Sequence, residues 1–504
     1  MFSLPHNRRN AVHFGIVMLA LIVVAMTSAA ALIVNDPFVP WLVIATLFAG
    51  VIGIYLLRRP VLALYVALFL YLLPTVVQIE SNVLGVAMFV AFALALLAWL
   101  LHATSQRQPI LWNWVYILLA VYIVWCAVTL VWAPDIVAGR REMIAYGLGF
   151  VLLFLIANQV RSLNGIDGLM RVLAMIGWIL VLLSMKAVLF DGYQLGERLR
   201  VMDMNANGLG IVLILMVPGV IWPVLRSSGP RRNFLMALSV IYILCTVVLV
   251  ALSGSRGSVL SLIAVLLAFG FWRPLRPWAL VGVILVACML ATVPFLFDTL
   301  VNRTLQQEGG AFGGRAVLWE GSMLLLEDHP WTGVGVGNGP YQLAAYVASL
   351  GGGFSDELKV SSHSPLLQVG IDTGFVGMFV YLSMCVVAVW QFVRLHGRLY
   401  IRSTALSVYF PIVLCVTVGF LVPWLKGGGM QSSPIFFVML ALLVIPSQVS
   451  LAFYSTSNRS TDTLVRAPQH FFNRLPWKDP HGGSLRAQNI TTNEGEVNAR
   501  RQLP

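Results

Sequence analysis

The chain has 504 residues, of which 59% are hydrophobic and only 10% charged, with a mean hydropathy of +0.86. Soluble domains carry about 25% charged residues, so this composition excludes an ordinary soluble protein and predicts an all-α, polytopic membrane bundle. The net charge of +12 would suit nucleic acid in a soluble protein. In a membrane protein it is first a question of topology, and no nucleic-acid partner is expected.

An apolar stretch of about 20 residues crosses a bilayer as a helix. In chain order the candidates are 12–34, 38–57, 60–79, 83–102, 111–132, 143–158, 168–189, 207–225, 234–252, 258–272, 278–297, 365–393, 403–424 and 434–453. The first follows a basic "HNRRN" and ends near "TSAAA". Its apolar core is longer than the usual h-region of a cleaved signal peptide, so a signal anchor fits better. Cys126, Cys245, Cys288, Cys385 and Cys415 all lie in apolar runs and read as small buried hydrophobes.

Orientation follows from the basic residues of the connections. One set carries Arg8, Arg9, Arg58, Arg59, Arg107, Arg161, Arg171, Arg226, Arg231, Arg232, Arg273, Arg276, Arg394, Arg398 and Arg402. The other carries Arg140, Arg141, Arg198, Arg200, Arg256, Arg303, Arg315, Lys359 and Lys426. The richer set is cytoplasmic, which puts both termini in the cytoplasm. The expected organisation is about eleven spans over 1–297, an external loop over 298–364, about three spans over 365–453, and a disordered cytoplasmic tail over 454–504.

The external loop has signals of its own. "GGRAVLWEGSMLLLEDHP" (313–330) starts after two glycines, stops at a proline, and repeats Arg315, Trp319, Ser322 and Leu326 at helical spacing. A turn "TGVGVGNGPY" and a second short helix follow. "GVGVGNG" (333–339) does not fit G-x-G-x-x-G and reads as a turn rather than a nucleotide loop. There is no P-loop, and His, Cys and carboxylates are not clustered at metal-ligand spacing; Asp328-His329 reads as a helix end.

Arginines on the outer side run against the orientation bias, and a guanidinium fork suits diphosphate recognition. Arg256, in "LSGSRGSVL", lies between two apolar runs at interface depth, where an unpaired charge is costly. Snorkelling to headgroups is its plainer explanation. Arg315 opens the loop helix and has Glu320 and Glu327 as ordinary partners. Arg198 and Arg200 flank the entry to a span. Arg140 and Arg141 lie beside Glu142, and Lys186 is about one turn from the outer end of its run. His363, in "SSHSPLLQVGIDTGFVG", closes the loop. It stands either as part of a serine-rich helix cap or as a base near neutral pH for a hydroxyl nucleophile.

Three stretches together resemble the O-antigen ligase and Wzy-type polysaccharide polymerase superfamily of bacterial envelopes. They are "SGSRGS" with Arg256, the loop segment from Arg315 through Trp319 to the Pro-x-x-Gly-x-Gly turn, and "HSPLLQVGIDTGFVG" with Gly374 and Gly377. "DMNANGLG" around Asn207 is similar to a recurrent segment of the same family. Serine follows His363 where asparagine is common, the span count exceeds the family's usual twelve or so, and "GGGFSDELK" is inserted before the histidine.

The resemblance implies transfer of a glycan from an undecaprenyl-diphosphate-linked donor to a hydroxyl on a glycan, lipid A–core or protein acceptor. It implies a metal-independent, inverting reaction without cofactor, at the periplasmic face of the inner membrane, with envelope polysaccharide assembly proteins as partners. Carried over, Arg256 and Arg315 would bind the diphosphate and His363 would activate the acceptor, as the catalytic residues. Arg198, Arg200, Arg140, Arg141, Asn207 and Trp319 would help bind the diphosphate or glycan. The extra spans and extended loop point toward polymerisation rather than ligation. The rival from another class is a transporter or flippase for lipid-linked oligosaccharide.

Overall fold

The computed structural model describes residues 50–76, 82–194, 197–202, 204–292, 315–350, 359–399, 404–425, 427 and 429–457. The expected spans 12–34 and most of 38–57, the loop residues 298–314 and the tail from 458 lie outside them. Among the described residues the secondary structure is helical, apart from one isolated bridge between Val201 and Met204. The protein is an all-α polytopic membrane protein, as its composition predicts.

After a helical stretch at 50–57 the named helices are α1 (Pro60–Leu72), α2 (Asn82–Gln106), α3 (Trp114–Thr129), α4 (Ile136–Gln159), α5 (Leu163–Leu189), α6 (Ala206–Leu215), α7 (Val217–Arg226), α8 (Gly229–Leu252), α9 (Arg256–Phe271) and α10 (Arg276–Thr292). Two short helices, α11 (Arg315–Asp328) and α12 (Gly339–Ser349), precede α13 (Pro365–Leu399), α14 (Thr404–Trp424) and α15 (Pro434–Ser457). Among the described residues, six helical runs are long and apolar enough to cross a membrane, and six shorter apolar helices accompany them. These twelve coincide with the twelve later spans read from hydropathy.

Local sequence explains the helix starts. Asn113, Asp135, Ser162 and Ser255 each accept a backbone N–H of the first turn of α3, α4, α5 and α9, the ordinary role of these side chains at an N-cap. Pro218 has no N–H to give Ile214, and the run 206–226 breaks there into α6 and α7. That run is 83% buried, against 28–50% for the other long spans, so it is the central helix of the bundle. α7 packs on α5, α3 on α13, and α9 on α14.

Two expectations need correction. The hydropathy window 143–158 belongs to a helix that begins at Ile136, so Arg140 and Arg141 stand on the first turns of α4 and not in a connection. The cap at Asp135 extends the helix past the point where charged residues end the apolar run. The span 365–393 is not one straight helix: Gly374 has φ 69° and ψ −176° and divides it.

Short connections fix which helix ends lie together. Residues 160–162, 227–228 and 272–275 join consecutive spans at one end. The segments 130–135, 190–194, 197–202, 253–255, 315–350 and 359–364 therefore gather at the other, which we call the loop end. There α11 and α12 pack on each other and on α13, around a small apolar cluster of Leu318, Leu325, Leu326, Val334, Leu343, Val347, Val360 and Ile371 that is separate from the main core.

Candidate functional site

The loop end is organised by the break at Gly374. A broken helix leaves carbonyls without partners, and inside a membrane protein these must be satisfied by protein. The Ile371 carbonyl accepts the Val334 N–H (2.9 Å) and that of Asp372 accepts Gly335 N–H (3.0 Å). The Thr373 carbonyl accepts the Trp125 indole N–H at 2.9 Å. On the far side of the break, Phe375 N–H donates to Pro330 O at 2.7 Å. A Cβ on Gly374 would lie 2.2 Å from the Trp331 carbonyl carbon, so only glycine fits.

The partner in these bonds is "GVGVGNG". Gly333, Gly335 and Gly337 all have positive φ (63°, 100° and 72°). A Cβ on Gly335 would lie 2.7 Å from Ala133 Cα, and one on Gly337 would lie 2.8 Å from the Ala138 carbonyl. Val336 N–H donates to Thr129 Oγ1 at 3.0 Å. The segment is thus a structural turn, threaded between the α3–α4 corner and the break in α13.

Across this turn lies a buried carboxyl that the sequence reading passed over. Asp372, 4% exposed, accepts the Gly339 N–H at 2.7 Å on Oδ1. The only signal for it was an acid inside an apolar run. Asp328, expected as a helix end, accepts a hydrogen bond from the Tyr346 hydroxyl and ties α11 to α12. That bond, more than burial, raises the Tyr346 pKa above its ordinary value.

His363 sits just before α13. Its φ is 50°, a left-handed conformation that costs a non-glycine residue about 1 kcal/mol or more. Serines hold it there. His363 N–H donates to Ser361 Oγ (3.3 Å), Ser362 Oγ donates to the Ser364 carbonyl (2.9 Å), and Ser364 N–H donates to Ser362 Oγ (3.3 Å). The first turn closes with Gln368 N–H on the Ser364 carbonyl at 2.8 Å. The cap and the special histidine are therefore the same structure. The imidazole is half-buried.

A second assembly surrounds Arg256, the first residue of α9. Ser255 caps that helix through Ser258 N–H, and Ser258 Oγ donates to the Asn207 carbonyl at 3.3 Å. Arg198 Nη2 donates to Asn207 Oδ1 at 2.9 Å, and its Nε donates to the Ser253 carbonyl at 3.3 Å. Leu199 N–H reaches Leu252 O at 3.0 Å. The structure thus joins Arg198, Asn207 and the 252–258 turn that presents Arg256, three sites the sequence named separately. Arg256 is half-buried, while Arg200 is exposed.

The remaining predicted residues divide similarly. Arg315 is the first residue of α11 and Trp319 lies one turn on, both half-buried. α11 and the segment before His363 share one apolar cluster through Leu318 and Val360. Arg140 and Arg141 are exposed on α4, beside the Ala138 and Gly139 positions that meet the glycine turn. Lys186 pairs with Asp191 at 2.6 Å.

No curated protein matches the chain. The family model described as O-antigen ligase matches residues 240–382, from within α8 to beyond the Gly374 break. That segment holds Arg256, Arg315, Trp319, the glycine turn and His363, and so all three motifs that carried the resemblance; over residues 240–382 the chain is similar to the O-antigen ligase family.

Proposed function

We propose that the protein is a membrane glycosyltransferase that moves a glycan from an undecaprenyl-diphosphate-linked donor to an acceptor hydroxyl at the periplasmic face of the bacterial inner membrane. The observation that carries this reading is the coincidence of the O-antigen ligase match with the segment that presents Arg256, Arg315 and His363. The helix ends that bear these residues gather at one end of the bundle.

In this reading Arg256 and Arg315 hold the donor diphosphate and take up the charge that develops on it as the anomeric C–O bond breaks. His363 orients the acceptor hydroxyl and receives its proton as the new C–O bond forms on the opposite face, with inversion. Arg198 and Asn207 support the turn that presents Arg256. Arg200, Arg140, Arg141 and Trp319 border the path of the glycan. No step calls on a metal; placement and counter-charge supply the catalysis.

The orientation bias of the basic residues supports a periplasmic loop end, and the longer span count supports polymerisation over ligation. Interrupted helices also occur in transporters, where unwound carbonyls coordinate ions. At Gly374 the carbonyls of Ile371, Asp372 and Thr373 are already engaged by protein donors, which favours transfer over transport.

The test is deletion of the gene in its host followed by analysis of carrier-linked and surface glycans. Single repeats accumulating on the carrier identify a polymerase. Long chains left on the carrier and missing from lipid A–core or protein identify a ligase. Unchanged carrier-linked glycans in every respect would return the protein to the transporter class.

A further inference from the structure

The half-helix from Pro365 to Thr373 is held at both ends, and one side chain connects them. Gln368 Oε1 accepts the Ser362 N–H at 3.3 Å, next to His363. The Gln368 Nε2 is buried and lies beside the Asp372 carboxyl, where it makes no bond of good geometry. Gln368 itself is 2% exposed and Ser362 is fully buried, so water has little access to either. Asp372 is bound on its other side by the Gly339 N–H, with the Gly337 N–H also facing it.

Glu142 of α4 approaches the same space. A Cβ on Gly337 would lie 3.1 Å from Glu142 Cγ. Glu142 Oε2 is buried and has no hydrogen-bond partner among the described residues. The other titratable groups near the two carboxyls are Tyr122 and Cys126 of α3 and Tyr146 of α4, with the two tyrosine hydroxyls 3.4 Å apart. Arg140 and Arg141, on the same helix as Glu142, are exposed.

We propose that Asp372 is a positioning residue for His363: anchored by the glycine turn, it flanks the Gln368 amide, which holds the Ser362 N–H and thereby the left-handed turn that bears the imidazole. The kinetic consequence rests on the glycan-transfer reading; the structural consequence does not.

The experiment is hydrogen exchange of the full-length protein in lipid nanodiscs, read at peptides covering 359–364 and 333–339, alongside transfer activity. Gln368→Leu is expected to speed exchange at the 361–364 turn by about fivefold, the loss of one hydrogen bond, with 333–339 unchanged. Asp372→Asn, which keeps an acceptor for Gly339 but replaces one carboxyl oxygen by an amide nitrogen beside Gln368, is expected to do the same at 361–364. Both should lower kcat with KM unmoved.

Unchanged exchange at 361–364 in both variants would overturn the proposal. If Asp372→Asn does not fold, Gln368→Leu still decides, because its side chain makes no bond to the glycine turn. Should exchange respond as expected while the wild type transfers no glycan, the positioning chain stands and the transfer reading falls.

Discussion

Asn338 and Asp135, 203 residues apart in the chain, exchange two hydrogen bonds: Asp135 N–H donates to Asn338 Oδ1 at 2.7 Å, and Asn338 Nδ2 donates to the Asp135 carbonyl at 3.1 Å. Asn338 Nδ2 also donates to the Val336 carbonyl at 3.0 Å, and the residue is 1% exposed. Asn338→Ala would remove a partner from the half-buried Asp135 N–H and from the Val336 carbonyl, and would leave the Asp135 carbonyl with the Gly139 N–H alone. Thermal unfolding of the solubilised protein should show a loss of about 2–4 kcal/mol. A loss under about 0.5 kcal/mol would mean that water replaces the amide.

Gly374→Ala should be worse. The alanine would have to adopt a conformation that is essentially glycine-only, at a cost of about 1–3 kcal/mol, and its Cβ would strike the Trp331 carbonyl. The expected outcome is protein that no longer elutes as a monodisperse species. Gly147→Ala is the contrast. Gly147 lies within α4 with open space around its missing Cβ, so alanine there should be neutral or stabilising by about 0.5–1 kcal/mol.

Transfer activity should fall about 100-fold or more in Arg256→Ala and in Arg315→Ala, and about 100- to 10,000-fold in His363→Ala. Lysine should restore little at the arginines, because an ammonium lacks the planar fork. Arg198→Ala should behave differently: it frees Asn207 and the Ser253 carbonyl, so thermal stability drops together with activity. Folded, fully active Arg256→Ala and Arg315→Ala proteins would remove the diphosphate role from both.

Labelling can settle orientation directly. Lys359 and Ser228 are exposed and lie at opposite ends of the bundle. In intact cells a membrane-impermeant thiol reagent should modify Lys359→Cys, and should modify Ser228→Cys only after permeabilisation. The reverse pattern would place the loop end in the cytoplasm and dismiss a periplasmic donor.

The Lys186–Asp191 pair should matter little. Its side chains are 61% and 48% exposed, and exposed ion pairs contribute about 0–1 kcal/mol. A double-mutant cycle should return a coupling below about 1 kcal/mol, less in high salt. A larger value would point to burial of the pair by lipid headgroups.

Much of this architecture was legible because lipid imposes a simple rule on sequence: about 20 apolar residues make a helix. The helix over 315–328 was equally plain, from Gly-Gly before it, a proline after it and helical spacing between. The break at Gly374 was not, because glycine costs an apolar run almost nothing in hydropathy, and its φ depends on Trp331 and Thr332 packed against it. Asp372 and Gln368 were passed over for a related reason. Each is one polar residue in a greasy stretch, and their meaning lies in Gly339, Gly337 and Ser362, which the chain brings to them from elsewhere. Arg198 and Asn207 were each singled out, but only the fold shows that they bind one another.

The glycine turn has a consequence for portability. Residues 333–339 lie inside the segment that carries the family match, yet Thr129, Ala133, Asp135 and Ala138, against which they close, lie about a hundred residues before it begins. Trp125, which caps the broken helix, does too. The matched stretch is therefore not a cassette. A chimera grafting residues 240–382 into another scaffold would have to bring the α3–α4 corner as well, or leave the turn with nothing to close on.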